Sequence, residues 1–244
     1  MLKVIGQLTS KRPTVLFIPG GLTSPEIFKY IYVRKEFQYG MVDWGMSEGP
    51  WTIDCIGKRV SEYITKKDLG PTVLVGYSQG GVIAMCSALT GNEMIAGLML
   101  SNTGANTKNH GDPNFPQKIL DLWGKPELIE PFLARCFSKT IDPEIKKLLL
   151  EYINKLDKQV AYESAYSLRQ LDISDRLGEI KCPVYIVHGI DDTSRTIMHA
   201  QQLKDGIPNS KLVFLPGGHT IFIENRDGWM KEFNELLDIV LSSI

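Results

Sequence analysis

Val73-Leu-Val-Gly-Tyr-Ser-Gln-Gly-Gly-Val-Ile-Ala-Met85 is an apolar run that breaks at Gly76-x-Ser78-x-Gly80 and then resumes. The first half has the character of a buried strand and the second that of a helix, so the break reads as a sharp strand-to-helix turn with serine at its apex. A side chain at such an apex sits on a strained backbone, and its near neighbours must be small. Glycines two before and two after Ser78 meet that need, and Gly81 lets the new helix pack closely on the sheet. The turn lifts the hydroxyl above the sheet and aims the unpaired N–H groups of a helix N-terminus at the atom it attacks. In a chain with 22 glycines a bare Gly-x-Ser-x-Gly is often only a turn. Strand before and helix after are the setting that makes it a nucleophile elbow, and they point to a hydrolase.

A serine hydroxyl is a poor nucleophile at neutral pH and needs a general base, for which histidine has the suitable pKa. Of His110, His188, His199 and His219, the last lies in Lys211-Leu-Val-Phe-Leu-Pro-Gly-Gly-His-Thr220, a short strand running into a glycine-rich loop. Loops at the carboxyl ends of strands are where α/β sheets place their ligands. An acid from the same position one strand earlier is available in Pro183-Val-Tyr-Ile-Val-His-Gly-Ile-Asp-Asp192. The order Ser78, Asp192, His219 is one of the orders in which serine triads occur.

With these residues the chain resembles the α/β-hydrolase superfamily, and specifically its small cap-bearing serine hydrolases of carboxylesterase type. The resemblance also rests on Leu16-Phe-Ile-Pro-Gly-Gly21, on Asp43-Trp-Gly-Met-Ser47, on Ile180-Lys-Cys-Pro-Val-Tyr-Ile-Val-His-Gly189, and on Gly218-His219 followed by Glu224. It covers nearly the whole length apart from a middle segment. It implies an acid three residues after the strand-closing glycine, which selects Asp192, with Asp191 as the adjacent rival. It implies an oxyanion hole made by the backbone N–H of Gln79 and that of Gly21, with Leu22 as the alternative second donor. Relatives commonly carry His-Gly where this chain has Pro19-Gly20, so one side chain that braces that loop is missing. A serine nucleophile argues against the dehalogenase and epoxide hydrolase branches, which use aspartate there.

Strand and helix signals alternate along the chain: strands at about 3–8, 14–18, 37–42, 72–76, 97–101, 183–188 and 211–215, helices at 25–35, 52–66, 79–90, 195–206 and 227–241. Such alternation predicts an α/β fold with a mostly parallel central sheet flanked by helices. Only about 13 residues precede the strand that feeds the oxyanion loop, so the antiparallel edge is expected to be reduced. From 105 to 176 the rhythm changes to helical spacing throughout, and Asp142-Pro143 reads as an N-cap followed by proline at the first helical position. The expected organisation is a core of residues 1–104 and 177–244 with a helical cap insertion at 105–176, which the resemblance places over the active site. Trp123, Phe132, Phe137, Tyr162 and Tyr166 of the cap, with Leu22 and Tyr77 of the core, are the pocket candidates, although packing is the simpler role for the cap aromatics. Trp44 could likewise line the pocket or merely pack. His188 is expected in the core or just behind the site, and His110 at the cap entrance, by default in a surface loop with substrate binding as the lesser alternative.

A length of 244 residues with 43% hydrophobic residues suits one core of ordinary size. A net charge of −1 gives no electrostatic case for nucleic acid. Cys55, Cys86, Cys136 and Cys182 form no Cys-x-x-Cys and read as buried free thiols. No histidine pair has metal-ligand spacing and no phosphate-binding glycine loop occurs, so neither metal nor other cofactor is expected. Neither a signal peptide nor a membrane-spanning run is evident, and a cytoplasmic location follows as the expectation for a bacterial source. The expected partner is a small acyl substrate. The expected activity is cofactor-independent hydrolysis of a small carboxylic ester or thioester through an acyl-enzyme. Alternatives on the same residues are a carbon–carbon bond hydrolase or lyase, or a ligand-binding receptor on a hydrolase fold.

Overall fold

The computed structural model of the chain describes residues 1–243. Seven strands, β1 (Val4–Ile5), β2 (Thr14–Ile18), β3 (Gln38–Val42), β4 (Thr72–Tyr77), β5 (Ile95–Ser101), β6 (Val184–Gly189) and β7 (Ser210–Leu215), form one sheet in the order β1-β3-β2-β4-β5-β6-β7. All neighbours are parallel except β1, which pairs antiparallel with β3 through two residues. The antiparallel edge is thus as short as the sequence implies. Gly6, at φ 132°, ends the predicted 3–8 strand early. The central strands β2, β4 and β6 are buried along their whole length, which is why they read as continuous apolar runs.

From β2 the chain moves outward to β3 and then returns to the other side of β2 as β4. The carboxyl ends of β2 and β4 therefore flank the point where the winding reverses, where open α/β sheets bind ligands. The helices α1 (Ile53–Lys66) and α2 (Gln79–Ala88) pack on one another beside the sheet. Gly57 permits this, since a Cβ there would come within 2.6 Å of the Cys86 Cβ. The segment predicted as a helix at 25–35 is only a 3-10 turn, Pro25–Tyr30, capped by Ser24 and closed by an extended Ile31. Its Phe28 stacks on Phe17 and on Phe222, starting an aromatic layer continued by Trp229 and Phe233.

Between β5 and β6 lie α3 (Phe115–Leu122), α4 (Pro126–Cys136), α5 (Pro143–Lys155) and α6 (Lys158–Gln170), followed by a 3-10 turn at Ser174–Glu179. Asp142 caps α5 through the N–H groups of Glu144 and Ile145, with Pro143 as its first residue. Polar contacts fasten these helices to the sheet. Tyr152 of α5 donates to the buried Asp43 carboxylate at 2.7 Å, and α6 accepts the N–H groups of Trp51 and Ile53 on Glu163 and Ser167. After β6 come α7 (Ile197–Gly206), β7, the single turn α8 (Ile221–Glu224) and α9 (Arg226–Ser242), which lies against β5 and β6.

At the elbow between β4 and α2, backbone approaches set the residue choice. A Cβ on Gly76 would sit 2.6 Å from the Gly80 carbonyl, and one on Gly80 would sit 2.0 Å from the Ile18 carbonyl, both rigid backbone atoms. Gly80→Ala is expected to destabilise the fold by at least about 3 kcal/mol, because α2 and the end of β2 must separate to admit one methyl group. Chemical denaturation of the purified variant checks this, and a midpoint matching the wild type would contradict the close packing.

Candidate active site

Ser78 stands between β4 and α2 at φ 54° and ψ −119°, a conformation that costs a non-glycine residue of order 1–3 kcal/mol and persists only where the surroundings enforce it. Its Oγ lies 2.9 Å from Nε2 of His219, which follows β7 in the Pro-Gly-Gly-His loop. Nδ1 of His219 lies 2.8 Å from Oδ2 of Asp192, which follows β6. An ionised carboxylate only accepts hydrogen bonds, so Nδ1 carries the proton and Nε2 is left to accept from the serine hydroxyl. The loops after β6 and β7 meet this closely because Gly189 has no side chain: a Cβ there would lie 2.2 Å from the Gly218 carbonyl.

Asp192, not Asp191, is the carboxylate that meets His219. Its side chain is fully buried, whereas Asp191 is exposed and holds its place only through its own N–H to the Gly217 carbonyl. Oδ1 of Asp192 accepts the N–H groups of Ser194 and Arg195 at 2.7 and 2.9 Å. Oδ2 accepts from Asn102 at 2.7 Å as well as from His219. Burial pushes the carboxyl pKa up, but His219, the Arg195 amide and Asn102 outweigh it and hold it down at about 2.

Asn102 is a site residue that the sequence reading does not single out. It follows β5 at φ 48°, a left-handed conformation that asparagine tolerates better than most residues, and its amide also donates to the Gly218 carbonyl. An asparagine directly after the apolar strand that precedes the cap was the available signal. Trp44, read from the sequence as lining the pocket or packing, is buried and does not border the cavity beside Ser78 and His219. Its indole donates to the Pro19 carbonyl at 3.0 Å and so braces the loop at the point where relatives carry histidine.

Gly21 and Gln79 both border the same cavity as Ser78 and His219. Among the described residues, the N–H groups of Gln79 and Gly21 donate to no protein acceptor. A Cβ on Gly21 would meet Oε1 of Gln79 at 2.5 Å, so the Gln79 side chain end would have to swing aside to admit one. Leu22 adjoins Gly21 at φ 54°, buried and on the cavity wall. Tyr77 lines the cavity too, with its ring 5.2 Å from the His219 ring and its hydroxyl 3.1 Å from that of Thr220.

The cavity is small, about 90 Å³, and lies between these core loops and helices α3, α4 and α6. Of the cap aromatics proposed from sequence, Phe132 borders it, while Trp123, Phe137, Tyr162 and Tyr166 do not. Helix geometry explains the four corrections. The face of α6 turned to the cavity carries Ala161, Ser164, Ala165 and Leu168, at the spacing of one helical stripe. Tyr162 and Tyr166 stack on each other on another face at 5.8 Å, and Tyr166 is half exposed. Trp123 and Phe137 each fall one residue beyond a helix end, where the extended backbone takes them into packing against the core. His110 lines the cavity, which favours the lesser of its two alternatives over the surface loop, and burial with the charge of Arg195 lowers its pKa to about 2, keeping it neutral. His188 is buried behind Asp192, as expected, with Nε2 3.1 Å from the Arg195 carbonyl.

Among the described residues no group of three His, Cys, Asp or Glu side chains could hold a metal ion, and no helix is long and apolar enough to cross a membrane.

Comparison with known proteins places this geometry. The AB hydrolase superfamily protein YisY of Bacillus subtilis is 27% identical over 233 residues, covering 87% of each chain. The solved structure of an enol-lactonase from Burkholderia xenovorans superposes with a TM-score of 0.85 at 20% identity, covering 98% of this chain and 96% of that one. An esterase from Exiguobacterium antarcticum gives 0.82 at 21% identity, covering 98% and 94%. At such identities the two structures establish the shared fold. The model of the Alpha/beta hydrolase family matches residues 15–232. A match of that extent makes this chain a member of the alpha/beta hydrolase family, and with it a hydrolase.

Proposed function

We propose that the protein cleaves a small carboxylic ester or thioester through an acyl-enzyme, with Ser78 as nucleophile, His219 as general base and acid, and Asp192 as the group that orients the imidazole. The reading rests on one observation above all: the unbroken hydrogen-bonded line from Asp192 through His219 to Ser78, which ends on a strained serine facing a partly closed cavity. As Oγ attacks the substrate carbonyl, Nε2 takes its proton and the Asp192 carboxylate stabilises the imidazolium. The amides of Gln79 and Gly21 receive the negative oxygen, each contributing about 3 kcal/mol. His219 then protonates the departing alcohol or thiol, and water attacks the acyl-enzyme with the same imidazole as base. The four cysteines are unpaired, which supports a reducing compartment such as the cytoplasm.

A series of p-nitrophenyl esters of increasing acyl length, together with fluorophosphonate labelling read by intact mass, tests this. A cavity of about 90 Å³ favours short acyl groups, so turnover is expected to peak between acetate and butyrate. It should fall by about tenfold or more at octanoate, the effect of roughly 1.4 kcal/mol in barrier height. The label should add once, at Ser78. Absence of both turnover and labelling would overturn the reading.

A further inference from the structure

The cavity wall carries two guanidinium groups, Arg135 of α4 and Arg169 of α6. Arg169 is committed, donating to the carbonyls of His110 at 2.6 Å and Asp112 at 2.5 Å, and so it holds the loop before α3 in place. Arg135 has no such employment. Among the described residues its guanidinium pairs with no carboxylate and donates to no acceptor; its described neighbour is the Phe115 ring, 5.9 Å from the guanidinium carbon. Phe115 in turn stacks on Phe132 at 6.0 Å, and both rings border the cavity.

Among the described residues, Asp112 is the only acidic one on this wall, and both of its oxygens are taken. Lys118 holds Oδ2 at 2.6 Å, and the N–H of Asn114 holds Oδ1 at 2.9 Å. The two arginines sense one another: burial foremost, with the Arg135 charge adding to it against Asp112, lowers the Arg169 pKa. Holding like charges beside a partly closed cavity is unfavourable unless an anion relieves it. A planar guanidinium stiffened against an aromatic face suits two-point binding of a carboxylate.

We propose that Arg135 seats a carboxylate carried by the substrate, so that the preferred substrates are anionic esters: half-esters of short dicarboxylic acids, or esters whose alcohol portion ends in a carboxylate. This inference rests on the serine hydrolase reading above and names its substrate class. Arg135 would act as a specificity residue through the bound carboxylate and take no part in the bond-breaking steps.

Two matched pairs of esters test it by proton release: monomethyl glutarate against methyl pentanoate, and 4-acetoxybutyrate against butyl acetate. The wild type is expected to prefer at least one anionic member by about 10- to 100-fold in kcat/KM, the range of a charge-assisted hydrogen-bonded pair. Which pair shows the preference identifies the side of the ester that carries the charge. In Arg135→Gln that preference should collapse towards unity, mainly through KM, and Arg135→Lys should restore part of it. Equal rates within both pairs, or a preference untouched in Arg135→Gln, would overturn the proposal. If the wild type hydrolyses none of the four, the p-nitrophenyl series and the label decide the ester-hydrolase reading. The seat is then judged by calorimetric binding of glutarate: binding that Arg135→Gln abolishes supports it, and no binding overturns it.

Discussion

Replacing Ser78 with alanine is expected to reduce kcat/KM for a short ester by about 10⁴- to 10⁶-fold while the protein stays folded. No other side chain on the cavity wall combines a nucleophilic oxygen with a hydrogen-bonded imidazole, so the loss should leave only what the oxyanion amides and binding supply. The backbone makes a second, separable prediction at the same position. Ser78 holds φ 54°, which alanine must hold as well but which glycine adopts freely. Ser78→Gly should therefore be as inactive as Ser78→Ala yet more stable than it by about 1 kcal/mol, since released strain exceeds the entropy that glycine loses. Initial rates and thermal melts of the two variants together decide the matter. Residual activity above about 1% in both would assign the chemistry to another group. A lower melting temperature for the glycine variant would mean that no strain is stored at the elbow.

Asp192→Asn is the second large effect, about 10³- to 10⁴-fold in kcat. The reason lies in the donor count around this carboxylate. Two backbone N–H groups occupy Oδ1, and Asn102 and His219 both donate to Oδ2. An asparagine whose carbonyl oxygen serves the backbone pair must turn its NH₂ towards two groups that are themselves donors. His219 then escapes the clash by moving its proton to Nε2, which can no longer accept from Ser78. Asp191→Asn, at an exposed side chain, should change the rate less than about twofold, a control that separates the two neighbours.

The same carboxylate gives a signed pH dependence. Its folded pKa of about 2 lies below the ordinary value of 3.8, so the unfolded chain binds its proton more readily. The stabilisation is fully present above about pH 4 and is lost as the pH falls through about 2, and it amounts to about 2 kcal/mol. Wild type and Asp192→Asn should accordingly differ most in stability at neutral pH and converge near pH 2. Melting curves across that range check the sign, and a gap that widens on acidification would reverse it.

The elbow was legible in the sequence because its constraints are local. Gly76, Gly80 and Gly81 are dictated by backbone atoms within a few residues or on the adjoining strand, and any sequence that turns there must carry them. The alternation of strands and helices, the proline and aspartate that start α5, and the chain order of serine, aspartate and histidine are likewise properties of short segments. The inner face of the cap is another matter. On α6 the residues at 163 and 167 turn to the core loop, those at 161, 164, 165 and 168 to the cavity, and the two tyrosines elsewhere. Composition favoured the aromatics, but the rotation of the helix about its axis depends on its docking to Trp51 and Ile53, more than a hundred residues away in the chain. Asn102 acquires its partners only because β5 lies beside β6, and Arg135 meets Phe115 only because α3 and α4 pack together. The sequence by itself thus determined the fold, the turn that exposes Ser78 and the order of its partners, since those follow from steric rules acting along the backbone. Tertiary packing alone decided which side chains wall the cavity and what charge they present, because a helical face has no direction until something is packed against it.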